Sequence, residues 1–402
     1  MRYVAVLIAA WAGLFGAGPA PGPLGPMPSA QAQSRERISI NSPHAILIDA
    51  ETGSVLFEKR SDQLIAPASL AKLMTVEVVL DQIKLGNLKL TDEFVISENA
   101  WRKGGAVSRG STMYAVLHSR VKVEDLLQGT IIQSGNDASI ALAEGIGGNE
   151  AGFTRIMNDR ARELGMTKSH FTNAAGLPDP HMRVTPRELA LLSRHIIRTY
   201  PEHYRWYAER EFTWNKIRQQ NRNPLLTLGI GADGLKTGFT NEAGYCLVGS
   251  AVQNDLRLVV VIAGAKTPKD RADEAKKLLE WGFRSFESRL LFADGQTIAD
   301  AKIYGGTQGR VALMAKGEVK LMVPRTAGER LSARVIYTGP VPAPVREGQP
   351  IGTLQVRRGD VNVLEVPVHA AESVEAGSVS QRAFDAAAEI VINLFRSAAK
   401  RL

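Results

Sequence analysis

The spacing of hydrophobic positions changes along the chain, and each change marks a new kind of element. Ala45-Ile46-Leu47-Ile48 and Ser54-Val55-Leu56-Phe57 are apolar runs on either side of Ala50-Glu51-Thr52-Gly53, a pattern that predicts a β-hairpin at the start of a sheet. From about Ser69 to Ile197 the apolar residues recur at helical spacing: Leu73, Val76 and Leu80, then Val123, Leu126, Leu127 and Ile131, then Leu189, Leu192 and Ile196. The last of these helices opens at Thr185-Pro186, where the threonine can cap a free N–H and a proline at the first helical position gives up no hydrogen bond. After Lys236 the strand pattern returns in Tyr245 to Val252 and Leu256 to Ala263, separated by Gln253-Asn254-Asp255, and Lys269 to Phe286 reads as a closing helix. Strands at both ends with helices between predict a single α/β domain over residues 33–288.

From about Leu290 the texture shifts to short runs such as Val319-Lys320-Leu321-Met322-Val323 and Ala333-Arg334-Val335-Ile336-Tyr337, punctuated by Gly and Pro, which predicts a small all-β domain over 289–372. No repeat of solenoid or propeller length is present. Residues 378–402 form an amphipathic helical pattern: Phe384, Ala387, Val391, Leu394, Ala398 and Leu402 share one face, and Asp385, Glu389, Asn393, Arg396 and Lys400 the other. Two readings stand for it, a helix packed on its own domain and an anchor lying in a membrane surface, the second favoured by its terminal place and its closing Lys400-Arg401. At the other end, Arg2, the fourteen-residue apolar run Val4 to Ala17 and the small-x-small triplet Ala30-Gln31-Ala32 have the build of a secretory leader over residues 1–32, cleaved after Ala32. The run falls short of the roughly 20 residues that span a bilayer.

Composition narrows the picture without changing it. The chain has 402 residues, 44% of them hydrophobic and 22% charged, ordinary values for a folded protein. Its net charge of +8 is spread rather than gathered into a Lys/Arg run, which fits contact with a membrane or cell wall better than nucleic-acid binding. The one cysteine, Cys246, sits in an apolar stretch and reads as a small buried side chain. The seven histidines show no metal-ligand spacing, and neither a Gly-x-Ser-x-Gly elbow nor a phosphate-binding glycine loop occurs, so no metal or nucleotide cofactor is expected.

The chemistry begins at Ser69-Leu70-Ala71-Lys72, where a serine and a lysine three apart share one helical face. A serine hydroxyl becomes a nucleophile when a neighbouring base takes its proton, and a lysine can be that base once burial lowers its pKa. The spacing recurs at Ser119/Lys122 and Ser397/Lys400, but only Ser69 follows Ala66-Pro67-Ala68, a helix-starting context near the positive end of the dipole. Ser134-Gly135-Asn136 adds a hydroxyl and a carboxamide on a tight turn, with copies of the spacing at Ser39/Asn41 and Ser97/Asn99. Lys236-Thr237-Gly238 occurs once, ahead of an apolar strand, where the glycine would let another backbone approach. The three elements lie 65 and then 102 positions apart, in different parts of one domain.

That ordered set of Ser-x-x-Lys, Ser-x-Asn and Lys-Thr-Gly resembles the signature of penicillin-binding proteins and serine β-lactamases. With Ile131 to Ala138, Gln219 to Asn223 and Asp233 to Gly238, the likeness is to low-molecular-mass D-alanyl-D-alanine carboxypeptidases with a β-rich second domain, from about Ile38 onward. The resemblance implies an antiparallel sheet with a helical cluster, a β domain and a terminal membrane helix. It implies that Ser69 attacks the bond between two terminal D-alanines of a peptidoglycan stem peptide while Lys72 takes its proton. Ser134 would pass a proton to the leaving amine, Asn136 would hold the substrate amide or Lys72, and Lys236 with Thr237 and Gly238 would bind the terminal carboxylate. Backbone N–H groups of Ser69 and Phe239 would form the oxyanion hole, the latter where some members have histidine. β-Lactam antibiotics would be covalent inhibitors. The expected location is periplasmic, on the outer face of the inner membrane. A β-lactamase and a catalytically idle wall-binding protein are the alternatives; the missing Glu-x-x-Leu-Asn loop opposes the first and the intact Ser69, Lys72 and Lys236 the second.

Overall fold

The computed structural model describes residues 2–7, 38–325, 331–358, 361–380 and 383. It divides into two units, Ser34–Phe286 and a second made of Glu287–Leu402 with Met1–Gln33.

The first unit is built on a five-stranded antiparallel sheet in the order Val55–Lys59, His44–Asp49, Leu256–Ala265, Gly244–Gln253, Ala232–Thr240. The expected hairpin is present, and Asp49 closes its turn by accepting from the Thr52 N–H at 2.7 Å and the Thr52 hydroxyl at 2.5 Å. The central strands are apolar at nearly every position because both faces are covered. Val259, Val261 and Ala263 point into the core shared with the helical cluster. Leu258, Val260 and Ile262, one step out of phase, point at Ala275, Leu278 and Leu279 of the closing helix. That helix runs Pro268–Ser285, one residue ahead of the expected start, because Thr267 caps it by accepting from the Asp270 N–H at 3.0 Å. Phe286 already belongs to the next strand, Phe286–Phe292. Cys246 is buried in the sheet as expected, and burial pushes its thiol up to about 11.

The helical cluster holds Lys72–Lys84, Asn136–Gly147, Glu150–Glu163 and Pro186–Thr199 around the largest apolar core. Thr185 caps the last of them as expected, accepting from the Glu188 N–H at 3.1 Å. The segment whose apolar spacing from Val123 to Ile131 predicts one helix differs. It is α-helical only over Val123–Gln128 and then widens into a π-turn over Gly129–Gln133, closed by Ser134 in the left-handed region with φ 64°. The wider turn lets the Gly135 N–H reach back to the Gly129 carbonyl at 2.9 Å.

The second unit is all β among its described residues beyond the terminal segment. Its seven-stranded sheet has the order Arg2–Leu7, Leu331–Thr338, Pro350–Arg358, Val361–Ala370, Arg310–Met314, Ala299–Tyr304, Val341–Pro342, and Val311, Leu313, Val335, Leu354, Val356 and Val368 form its core. Within the segment read as a leader, residues 2–7 thus take the form of a strand, antiparallel to Leu331–Thr338. Ala30-Gln31-Ala32, where cleavage is expected, lies outside the described residues, as does most of the amphipathic segment 378–402.

Contact between the closing helix and the sheet depends on Gly282, where an added Cβ would lie 2.6 Å from Leu258 Cδ1 and 2.8 Å from Leu47 Cδ2. Gly282→Val is therefore expected to cost about 1–3 kcal/mol of unfolding free energy, the usual range for overpacking. Urea denaturation of the full chain checks it, and a loss below about 0.5 kcal/mol would mean the helix does not rest on the sheet at that point.

Candidate active site

Ser69 stands in a 3₁₀ turn, Ala68–Ala71, that runs straight into the helix Lys72–Lys84. The turn begins with Ala68 at φ 49°, a conformation an alanine holds only when its surroundings impose it. Gly176, itself at φ +72°, packs so closely that a Cβ there would sit 1.9 Å from the Ala68 carbonyl oxygen. On the other side a Cβ at Gly238 would come within 3.2 Å of the Ser69 backbone nitrogen. The glycine of Lys236-Thr237-Gly238 therefore does what its position in sequence implied, bringing the outer strand Ala232–Thr240 against the serine turn.

Lys72 is fully buried. Its Nζ donates to Asn136 Oδ1 at 2.8 Å and to the Ala175 carbonyl at 2.5 Å, and lies 3.1 Å from Ser69 Oγ. A neutral amine has two N–H donors and one lone pair. Two acceptors use the donors, and the lone pair is left for the serine hydroxyl. Burial, helped by the nearby Arg222 guanidinium, brings the Lys72 pKa down to about 7, with Asp137 acting in the opposite sense. Half of such amines are neutral near pH 7, as a general base requires.

Asn136 opens the helix Asn136–Gly147, and Ser134 and Gly135 form the bend that precedes it. Ser134 is buried apart from 2% of its surface and makes no side-chain hydrogen bond among the described residues. The bend is held by Asp137, which is wholly buried. Its carboxylate accepts from the Thr112 hydroxyl at 2.6 Å and from the Met113 and Ala115 N–H groups at 2.9 and 3.1 Å. The Asn136 N–H donates to the Ser111 carbonyl at 2.8 Å, so the 111–115 loop and the Ser-x-Asn bend are tied on both sides.

Lys236 is also buried, and its ammonium is disfavoured: burial is the main cause, followed by repulsion from Lys72, Arg222 and Arg271. Thr237 is nearly buried on the same strand, whereas the Phe239 side chain is 49% exposed and stacks on Tyr245 at 4.3 Å. With Lys72, Arg222 and Arg271 all close enough to oppose its charge, Lys236 marks the place where an anion gains most. Arg222 is fixed by donating to Ser111 Oγ at 2.8 Å, and Gln219 of the same segment donates to the Met113 carbonyl at 2.9 Å.

The structure thus brings Ser69, Lys72, Ser134, Asn136, Lys236, Thr237, Gly238 and Phe239 to one region and gives two of the competing serines other roles. Ser97 caps a helix by accepting from the Ala100 N–H, and Ser119 donates to the Val116 carbonyl in an exposed turn. Ser397/Lys400 lies outside the described residues. Sequence reasoning passed over Asp137, Arg222, Arg271 and Gly176. Asp137 stood inside a quoted motif with nothing to distinguish it from a solvated helix-start acid, and the two arginines lacked any fixed spacing to the serine.

The profile of the D-alanyl-D-alanine carboxypeptidase family matches residues 29–267, and that of the penicillin-binding protein 5 C-terminal domain matches 286–376. The chain is similar to D-alanyl-D-alanine carboxypeptidase DacC of Escherichia coli, at 39% identity over 90% of this chain and 91% of the relative. It is 40% identical to DacA of Haemophilus influenzae over 76% of this chain and 78% of the relative. Among solved structures it resembles penicillin-binding protein 5 from Haemophilus influenzae, with a TM-score of 0.77, 36% identity and coverage of 84% of this chain and 99% of that one. It also resembles the ampicillin-bound form of penicillin-binding protein D2 from Listeria monocytogenes, with a TM-score of 0.54, 31% identity and coverage of 61% and 99%.

Removing the Asp137 carboxylate strands a buried hydroxyl and two buried N–H groups. Asp137→Ala is expected to lower the unfolding free energy by about 2–4 kcal/mol, more than a surface carboxylate's loss. Thermal and urea denaturation measure it, and a change under about 1 kcal/mol would remove Asp137 from the supports of the bend.

Proposed function

Because the chain belongs to the D-alanyl-D-alanine carboxypeptidase family, we propose that its serine-type carboxypeptidase chemistry runs through an acyl-enzyme on Ser69 and acts on peptidoglycan stem peptides. The observation that carries this is the fully buried Lys72 amine, whose Nζ lies 3.1 Å from Ser69 Oγ with no carboxylate in contact, and whose burial lowers its pKa.

The reaction divides into two halves. Lys72 takes the Ser69 proton as Oγ attacks the carbonyl carbon of the penultimate D-alanine, and the carbonyl oxygen becomes an oxyanion between the Ser69 and Phe239 N–H groups. Collapse breaks the C–N bond. The leaving amine takes a proton by way of Ser134, and free D-alanine departs, leaving an ester on Ser69. A water molecule then attacks the ester, giving up its proton to Lys72, and the shortened peptide leaves as its carboxylate. Asn136 holds Lys72 in place, since its Oδ1 takes one of the two amine N–H bonds. Lys236 and Thr237 receive the substrate's terminal carboxylate. An anion there also restores the proton affinity of Lys236, which burial and then its cationic neighbours suppress. A β-lactam carries an acyl group and a carboxylate at comparable separation, so it enters the same path and stops at the ester.

The leader-like residues 1–32 and the amphipathic segment 378–402 support export to the periplasm, with the mature protein held to the outer face of the inner membrane. The attachment we propose is interfacial, because the charged residues along one face of the 378–402 pattern suit a helix lying in the membrane surface.

Purified protein is expected to release D-alanine from a peptide ending in D-Ala-D-Ala and to form a penicillin adduct on Ser69 by mass spectrometry, both lost in Ser69→Ala. Below pH 7 the protonated Lys72 cannot accept a proton, so the acylation rate is expected to fall about tenfold per pH unit and to level off above pH 7. A flat profile between about pH 5 and 8 would exclude Lys72 as the base. Rapid penicillin turnover without D-alanine release would instead indicate a β-lactamase.

Deleting residues 378–402 is expected to move the protein from the membrane to the soluble fraction on cell fractionation. A truncated protein that still sediments with membranes would reject the anchor.

A further inference from the structure

Beyond the chemical centre, the first unit has a groove of about 750 Å³ next to Phe239. One wall is apolar, from Leu64, Ile65 and Ala66, the residues leading into the serine turn. Another is the Phe239–Tyr245 aromatic stack, presenting the half-exposed Phe239 ring. The rim is charged: Arg183 pairs with Glu242 at 2.9 Å, and Lys266 is exposed with no acidic partner among the described residues.

The reading of Lys236 and Thr237 as the carboxylate clamp, on which this inference rests, fixes the direction of a bound peptide. Its C-terminus lies at Lys236 and its scissile carbonyl at Phe239. Everything upstream must continue along Thr240 and Asn241, because the strand advances about 3.3 Å per residue in that sense. Ala232–Thr240 is the outer strand of its sheet, so an extended peptide can lie antiparallel to it as an added strand. The residues about 7–10 Å before the scissile bond then fall in the groove. Arg183 is committed to Glu242, and Arg271 lies over the Tyr245 ring, which leaves Lys266 as the one groove-lining lysine or arginine without an acidic partner among the described residues.

We infer that this groove is a specificity subsite for the upstream part of the stem peptide, in which Lys266 recognises a free carboxylate two residues before the penultimate D-alanine while the Phe239–Tyr245 stack covers the aliphatic portion. The chemistry that distinguishes ligands here is a carboxylate against its uncharged amide. Phe239 contributes its N–H to the oxyanion and its ring to the subsite, so reaction and recognition meet at one residue.

The test uses two pentapeptides ending in D-Ala-D-Ala and differing in one group: a γ-linked D-glutamate with its α-carboxylate free, or the same residue as the α-amide. D-alanine release by the full chain is expected to show kcat/KM about 5–10-fold higher for the acid, a preference that shrinks as salt rises. Lys266→Gln is expected to abolish the preference and Lys266→Glu to reverse it, both leaving turnover of the amide peptide within about twofold of wild type. Equal rates for acid and amide in the wild type, or an undiminished preference in Lys266→Glu, would overturn the subsite while leaving the carboxypeptidase reading intact. Release from neither peptide would overturn both.

Discussion

A primary amine buried without a carboxylate in contact loses much of its hold on its proton, and Lys72 is in that position. Water is excluded from it and Arg222 repels its charge. Its contacts are a carboxamide oxygen, a main-chain carbonyl and a serine hydroxyl, of which the first two are acceptors that suit an N–H donor and the third has a proton to give. Valence then orients the base. Two donors are spent and one lone pair remains, so nucleophile activation follows from burial and bond counting, with no second titratable group in direct contact. A carboxylate touching Lys72 would stabilise the fold locally and end the chemistry by holding the ammonium charged.

Keeping that amine dry and in register requires several elements to agree. The Ala175 carbonyl that takes one N–H is adjacent to Gly176, whose closeness to Ala68 fixes the strained turn carrying Ser69. The Ala174 carbonyl accepts from Thr75 at 2.7 Å, one helical turn beyond Lys72, so this loop is fastened to the nucleophile helix at two successive residues. Asn136 is held from the opposite side by the Asp137 bonds and the π-turn before them. The outer strand is anchored at its start by Asp233, which pairs with Arg257 at 2.8 Å and accepts from the Tyr204 hydroxyl at 2.8 Å. Each support is itself buried or paired, so displacing one costs hydrogen bonds that water cannot replace.

How much of this was legible in the sequence follows from range. Local signals held: the Thr185-Pro186 helix start, the turn at Thr52, the doubly buried strands around Val260 and the fit of glycine at 238 all depend on neighbours a few residues away or on a residue's own stereochemistry. The motif order picked out three stretches that the fold brings together, because three short patterns had to occur in sequence. Asp137, Arg271 and Gly176 stayed hidden since their importance comes from contacts with chain segments tens to hundreds of residues distant. The π-turn was missed because apolar spacing over Val123 to Ile132 cannot separate a 3.6-residue turn from one widened by a single residue. For Arg2–Leu7, an apolar run serves equally as a leader core and as an edge strand beside Leu331–Thr338, and no periodicity separates the two.

The position of Phe239 shows why part of such a site can vary without loss of reaction. An N–H group is supplied to the oxyanion by any residue except proline, and its direction is set by the strand and by the close packing of Gly238 against Ser69. The ring points away, half exposed, onto Tyr245. Main chain therefore carries the electrostatics, where a displacement below 1 Å matters, and the side chain is left free to respond to what lies upstream in the substrate. Lys72 has no such freedom, because its side chain is both the base and the group whose burial sets its own pKa. On the proposed mechanism, exchanging Phe239 would alter recognition alone, whereas exchanging Lys72 would remove the proton acceptor on which both halves of the reaction depend.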